Sequence, residues 1–186
     1  MKCLCLTLLI LGACNIAPHS KSNPDLNWLA QQALQFDENA DLQTVKELRF
    51  SSTPTAAHIR SLKDLPNLSS LQIWDEGCFQ APDYPIGHMD DATLQVIAEL
   101  EQLESLAIAG WNVFYTDAGL RNIINMPNLT HLKVSMAPNL SDEGMKILAQ
   151  MPKLTHLDIT YTNITDTGLR FLLEAPKLEN VDYGWT

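Results

Sequence analysis

A six-residue kernel, apolar-x-x-apolar-x-apolar, recurs six times along the chain, and its spacing constrains the fold more than any other feature. It reads Val45-Leu48-Phe50, Leu68-Leu71-Ile73, Leu103-Leu106-Ile108, Leu129-Leu132-Val134, Leu154-Leu157-Ile159 and Leu178-Val181-Tyr183. The first positions lie 23, 35, 26, 25 and 24 residues apart, which is a period of 24 with one insertion of about 11. Alternation inside the kernel marks a short strand with its apolar side chains on one face. One such unit cannot bury that face alone, so a period of this length marks a stacked array whose units share a core.

A second signal repeats between the kernels, as T-D-A-G-L-R-N-I-I-N-M-P (116–127), S-D-E-G-M-K-I-L-A-Q-M-P (141–152) and T-D-T-G-L-R-F-L-L-E-A-P (165–176). Ser or Thr at the start accepts hydrogen bonds from free amides of a first helical turn, and Asp suits the positive end of the helix dipole. The closing Pro removes a donor and forces the chain out of the helix towards the next strand. Leu100-Glu101-Gln102 departs from the Leu-Pro or Met-Pro of other units, so a different helix exit is expected at that join.

Residues 154–172 resemble, at nearly every position, the bacterial leucine-rich repeat unit L-x-x-L-D-L-S-x-T-x-I-T-D-x-G-L-x-x-L. The units starting at Leu129 and Leu103 match with one or two extra turn residues, and those at Val45 and Leu68 match more loosely. This resemblance implies an α/β leucine-rich repeat solenoid over residues 45–186, right-handed, with parallel strands on the concave face and helices on the convex face. Ahead of it, Leu26, Leu29, Ala30, Ala33 and Leu34 share one helical face, so residues 25–44 are expected to form an N-terminal capping helix over the open end of the core.

The N-terminus has one Lys, an apolar run from Leu4 to Leu11 and small residues before Cys14, the layout of a secretory signal. The run is far shorter than the ~20 residues of a membrane-spanning helix. Leu11-Gly12-Ala13-Cys14 also resembles the bacterial lipobox. That implies removal of residues 1–13, acylation of Cys14, a flexible tether over 14–24 and a lipid-anchored protein of the cell envelope, at the outer membrane in preference to the inner. Plain secretion is the alternative. With 12 basic against 22 acidic residues the formal charge is −10, which argues against nucleic acid and against a polybasic membrane patch.

Side chains between the kernel's apolar positions belong on the concave side, in columns spaced ~4.8 Å across strands. One column is Glu47, Ser70, Ser105, His131, His156, Asn180; the next is Arg49, Gln72, Ala107, Lys133, Asp158, Asp182. His131, Lys133, His156 and Asp158 form the cluster most like a chemical site, yet a third metal ligand and a positioned nucleophile are missing from it. Binding character is richer at the edge that follows the strands, where Trp74, Phe79, Tyr84, Trp111, Phe114, Tyr115, Met136, Tyr161 and Trp185 fall, many of them in turns. The insertion at 75–91, with Cys78, two aromatics and two prolines, adds a long loop near the same edge.

These residues point to a non-catalytic protein- or peptide-binding lipoprotein that needs no cofactor, its partner contacted by the aromatic rim and the His131/Lys133/His156/Asp158 patch. A structural spacer in the envelope and a hydrolase or metalloprotein using His131, His156 and Asp158 are the alternatives. Tyr183 and Trp185 beside the last strand mark a C-terminal edge through which a homodimer would form. Four N-x-S/T sequences begin at Asn67, Asn128, Asn139 and Asn163; two arise from the repeated P-N-L-[ST] strand entry and the others lie in turns, so glycosylation is the weaker explanation.

Overall fold

The computed structural model describes residues 9–10, 42–50, 53–75, 89–111 and 113–184. The lipobox with Cys14, the tether, residues 25–41 of the expected capping helix, most of the 75–91 insertion with Cys78, Phe79 and Tyr84, and Trp185 lie outside the described residues. Within the described residues seven strands form one sheet in chain order: β1 (Leu9–Ile10), β2 (Glu47–Phe50), β3 (Ser70–Asp75), β4 (Ser105–Gly110), β5 (His131–Lys133), β6 (His156–Asp158) and β7 (Asn180–Asp182). Strands β2 to β7 run parallel, and β1 pairs antiparallel on the outer edge of β2, with Leu9 opposite Arg49. Each parallel pair is joined by a helix on the other layer: α1 (Ala56–Ser61), α2 (Asp91–Ile97), α3 (Asp117–Ile123), α4 (Asp142–Leu148) and α5 (Asp166–Leu172) connect β2 to β7 in turn. Only the short 3-10 turn Leu42–Thr44 represents the described part of the expected cap.

The register follows the kernel. Leu48, Leu71, Leu106, Leu132, Leu157 and Val181 align across the sheet and face the helices, where all but the half-buried Val181 lose essentially all contact with solvent. Removing a Leu side chain from water contributes about 1.5–3 kcal/mol, so the continuous Leu ladder supplies most of the drive to stack. The join at Leu100-Glu101-Gln102 does not depart from its neighbours. Leu100 N–H bonds Ile97 O at 2.9 Å, as Met126 bonds Ile123 and Met151 bonds Leu148, and the fully buried Leu100 side chain holds the path without a proline.

Polar contacts between successive units are equally regular, and they explain the T-D-x-G signature. Thr116, Ser141 and Thr165 each cap their own helix by accepting from the second helical amide at 3.2 Å. The Asp that follows reaches forward to the next unit. Asp91 accepts from the Thr116 amide and hydroxyl, Asp117 from those of Ser141 and Asp142 from those of Thr165, at 2.5 to 3.0 Å. Gly119, Gly144 and Gly168 sit against these same carboxylates, and a Cβ at any of them would collide with the Asp Oδ1 of the preceding unit. Where the preceding helix begins with Ala56 instead of Asp, the matching position is Thr93, whose hydroxyl returns to its own cap residue Asp90 at 2.9 Å.

The asparagines of the N-x-S/T sequences have the same role. Asn67, Asn128, Asn139 and Asn163 donate through Nδ2 to carbonyls of the preceding unit, Gln43, Glu101, Phe114 and Pro138, at 2.5 to 3.3 Å. The units are thus joined on both flanks of the strand.

Candidate binding surface

On the concave side the two expected columns stand in register: Ser105 is opposite His131, His131 opposite His156 and His156 opposite Asn180, with Ala107, Lys133, Asp158 and Asp182 beside them. The two imidazoles stack, their centroids 4.3 Å apart and their planes 10° from parallel. The threonine before each histidine sets its tautomer. Thr130 donates its single hydroxyl proton to the Glu104 carbonyl at 3.1 Å, so its 2.8 Å contact with His131 Nδ1 is one in which the ring N–H donates. Thr155 repeats the arrangement with the Thr130 carbonyl and His156 Nδ1, at 3.1 and 2.9 Å. On His156 the other ring nitrogen, Nε2, accepts a 3.0 Å bond from Asn180 Nδ2.

Lys133 and Asp158 form an ion pair across β5 and β6. Burial alone pushes the Asp158 carboxyl up, but the bonds from Lys133 and from the Thr160 amide and hydroxyl together hold it below the ordinary carboxylate range. Lys133 Nζ also lies 5.8 Å from the Trp74 ring, two strands away. That reach is open because β4 between them carries Ser105, Ala107 and Ala109, side chains too short to intervene. At the other end of the face Glu47 accepts from Arg49 at 3.0 Å and from Gln72 at 2.6 Å. A concavity of about 250 Å³ spans β4 to β7, with Ala107, His131, Lys133, His156, Asp158 and Asn180 among its walls.

The strands run parallel, so their C-terminal ends share one edge of the sheet, and the large exposed rings gather there. Trp74 is 47% exposed, Trp111 74%, Phe114 52%, Tyr161 58% and Tyr183 53%. Tyr115 does not join them. Its neighbours in sequence turn outward, but Tyr115 occupies the position equivalent to Met89, Leu140 and Ile164, one residue before the helix cap, and is wholly buried in the core. Burial pushes its phenol well above the ordinary tyrosine range. At the same edge the backbone turns through the left-handed region at Gly110, Met136 and Tyr161, with φ of 138°, 56° and 57°. The three positions correspond, each four residues after the strand leucine, and two of them carry a side chain that prefers other conformations.

Among the described residues no three His, Cys, Asp or Glu side chains converge as metal ligands. The polar groups of the patch are engaged mainly with one another: both Nδ1 atoms with threonines, Lys133 with Asp158, and Asp158 with Thr160 as well. What this surface offers is an array of rings, the carboxylate of Asp182, which has no salt bridge among the described residues, and an aromatic edge.

The sequence signals that were legible, and those that were not, divide by distance along the chain. Spacing placed the columns and the rim. The forward reach of Asp91, Asp117 and Asp142, and the glycines that make room for it, join residues in different units and carry no local mark.

Comparison with known proteins bears on the fold. A family model described as Leucine Rich repeat matches residues 125–149 and 150–173. No curated protein matches the chain. Internalin C2 from Listeria monocytogenes is similar at 17% identity with a TM-score of 0.51, over 87% of this chain and 74% of that one. Another internalin from the same organism has 19% identity and a TM-score of 0.48, over 78% of this chain, and a Bacteroides fragilis protein has 20% and 0.46, over 74%. The match spans 36% and 40% of the length of those two proteins. Repeat period, register, parallel sheet and structural similarity together make this chain an α/β leucine-rich repeat solenoid.

Proposed function

We propose that this chain is a non-catalytic binding module of the bacterial cell envelope that recognises a protein or peptide through its concave face and aromatic rim. The observation that carries the reading is the row of exposed rings, Trp74, Trp111, Phe114 and Tyr161, set along one edge of a rigid parallel sheet. Rings of this kind supply large contact area with few rotatable bonds, and are enriched where binding energy concentrates. Pull-down with the wild-type chain against a Trp74→Ala/Trp111→Ala/Tyr161→Ala variant tests it. Loss of partners with the variant is expected, and an unchanged partner set sinks the rim as a binding surface.

For the membrane, the reading is an acyl anchor at Cys14 following cleavage of residues 1–13, β1 included, supported by the Leu11-Gly12-Ala13-Cys14 layout. Two or more acyl chains would hold the protein stably, at about 0.8 kcal/mol per buried methylene. Labelled palmitate should enter the wild type and not Cys14→Ser, and equal labelling of both rejects the anchor. A homodimer through the β7 edge is the matching proposal for oligomeric state, supported by the exposure of Leu173 and Tyr183 beside that strand. Sedimentation of the wild type against Leu173→Lys distinguishes it from a monomer.

A further inference from the structure

The concave face has an anatomy that narrows the partner further, on the reading that it binds peptides. We infer that it takes an extended peptide lying across the strands. An aromatic side chain fills the slot over Ser105 and Ala107 against His131, and a Lys or Arg about four residues away meets Asp182.

The slot follows from the side chains around it. His131 uses one face of its ring to stack on His156, while its other face looks over Ser105, the neighbour in register on β4. Ser105 and Ala107 are too small to fill the place that histidines fill on β5 and β6. A ligand ring laid there would continue the stack, in the offset geometry that aromatic pairs favour at centroid separations of about 4.5–7 Å. It would also lie beside Lys133, already held near the Trp74 ring, and so gain a cation–π contact. The existing bonds fix the tautomer and orientation of His131, so the face is presented without further ordering.

The charge end is set by elimination among the concave ionic groups. Glu47 is paired with Arg49, and Asp158 with Lys133. Asp182, exposed at the β7 end of the same column, has no salt bridge among the described residues. With the chain at a formal charge of −10, a cationic partner is the complementary one. From β4 to β7 are three strand spacings, roughly 14 Å at ~4.8 Å each. An extended peptide covers that distance in about four residues, and an even offset puts both anchors on the same face of the peptide.

A random-peptide display library panned on the purified chain tests this. Enriched sequences are expected to place Tyr, Phe or Trp about four residues from Lys or Arg. For the best such peptide, fluorescence anisotropy should show at least about tenfold weaker binding to Ser105→Leu, which fills the slot, and near wild-type binding to Ser105→Gly, which leaves it open. Asp182→Lys should weaken binding by about tenfold, with recovery by a peptide whose basic residue is exchanged for Glu. Enrichment of peptides without this spacing, or binding indifferent to Ser105→Leu, overturns the inference and leaves peptide recognition standing. If no peptide is enriched over a Trp74→Ala/Trp111→Ala/Tyr161→Ala control, both fall.

Discussion

At the level of single residues, the T-D-x-G signature is a cross-unit device rather than a helix start alone. Gly144 is glycine because the Asp117 carboxylate occupies the space a Cβ would need, and Asp117 is there to receive the Ser141 amide and hydroxyl. Gly144→Ala should therefore destabilise by about 1–3 kcal/mol, although alanine is the better helix former by about 1 kcal/mol in an unobstructed helix. Removing the obstruction tests the cause: in a double-mutant cycle with Asp117→Ala, the second substitution should recover part of the loss from the first, measured by urea unfolding. Simple additivity would show that the collision is not the origin. Tyr161 presents the converse case, an exposed ring on a left-handed residue. Tyr161→Gly is expected to leave stability unchanged or raise it by up to about 1 kcal/mol, by relieving that backbone, while weakening partner capture. A stability gain coupled to lost binding is the mark of strain kept for recognition.

At the level of elements, helices of seven residues have little stability alone, and α3, α4 and α5 are each held by a cap, a buried face and the Asp of the unit before. The Asp142 carboxyl is held below the ordinary range first by the Thr165 hydroxyl, then by the Thr165 amide, with desolvation opposing and the Gly168 amide adding. A depressed folded-state value means that this stabilisation is fully present above the unfolded value, about 3.9 for Asp, and is lost as pH falls through the folded value. Stability of the wild type should thus be flat near neutrality and fall in acid below about pH 5. Asp142→Asn should start lower at pH 7 and fall less steeply, read from thermal unfolding across pH 3–7. An identical acid limb in both proteins would remove Asp142 from the account.

At the level of the whole molecule, each unit contacts chiefly its neighbours, so the effect of a lesion depends on where in the stack it falls. Leu132, buried between units on both sides, should cost about 2–5 kcal/mol when truncated to Ala. In the monomer Leu173, 85% exposed at the far end beside a depression of about 410 Å³, should tolerate Ser within about 0.5 kcal/mol, whereas a homodimer through the β7 edge would make the loss larger and dependent on protein concentration. A comparable loss at both positions, by denaturant unfolding, would mean that the end of the stack is covered in solution. The mapped surfaces also separate at this scale: the rim collects exposed rings at strand ends, whereas the concave floor holds paired polar groups around the open strip of β4.

The amino-acid order by itself determined the scaffold. A 24-residue period, alternating apolar positions and helix start and stop signals are local, and together they specified which residues would pair, down to His131 beside His156. It also located Trp74, Trp111, Phe114 and Tyr161 at the edge where the structure exposes them. Only the tertiary structure decided that Tyr115 is core while Phe114 is surface, because one-residue differences inside an enlarged turn depend on which side chain the next unit covers. It alone assigned the asparagines, aspartates and glycines to contacts between units, since a hydrogen bond spanning some 25 residues leaves no periodic trace distinct from the repeat itself. The open place over Ser105 and Ala107 belongs to the same class: small residues look unremarked in sequence, and become a slot only when stacked histidines stand on the adjoining strands.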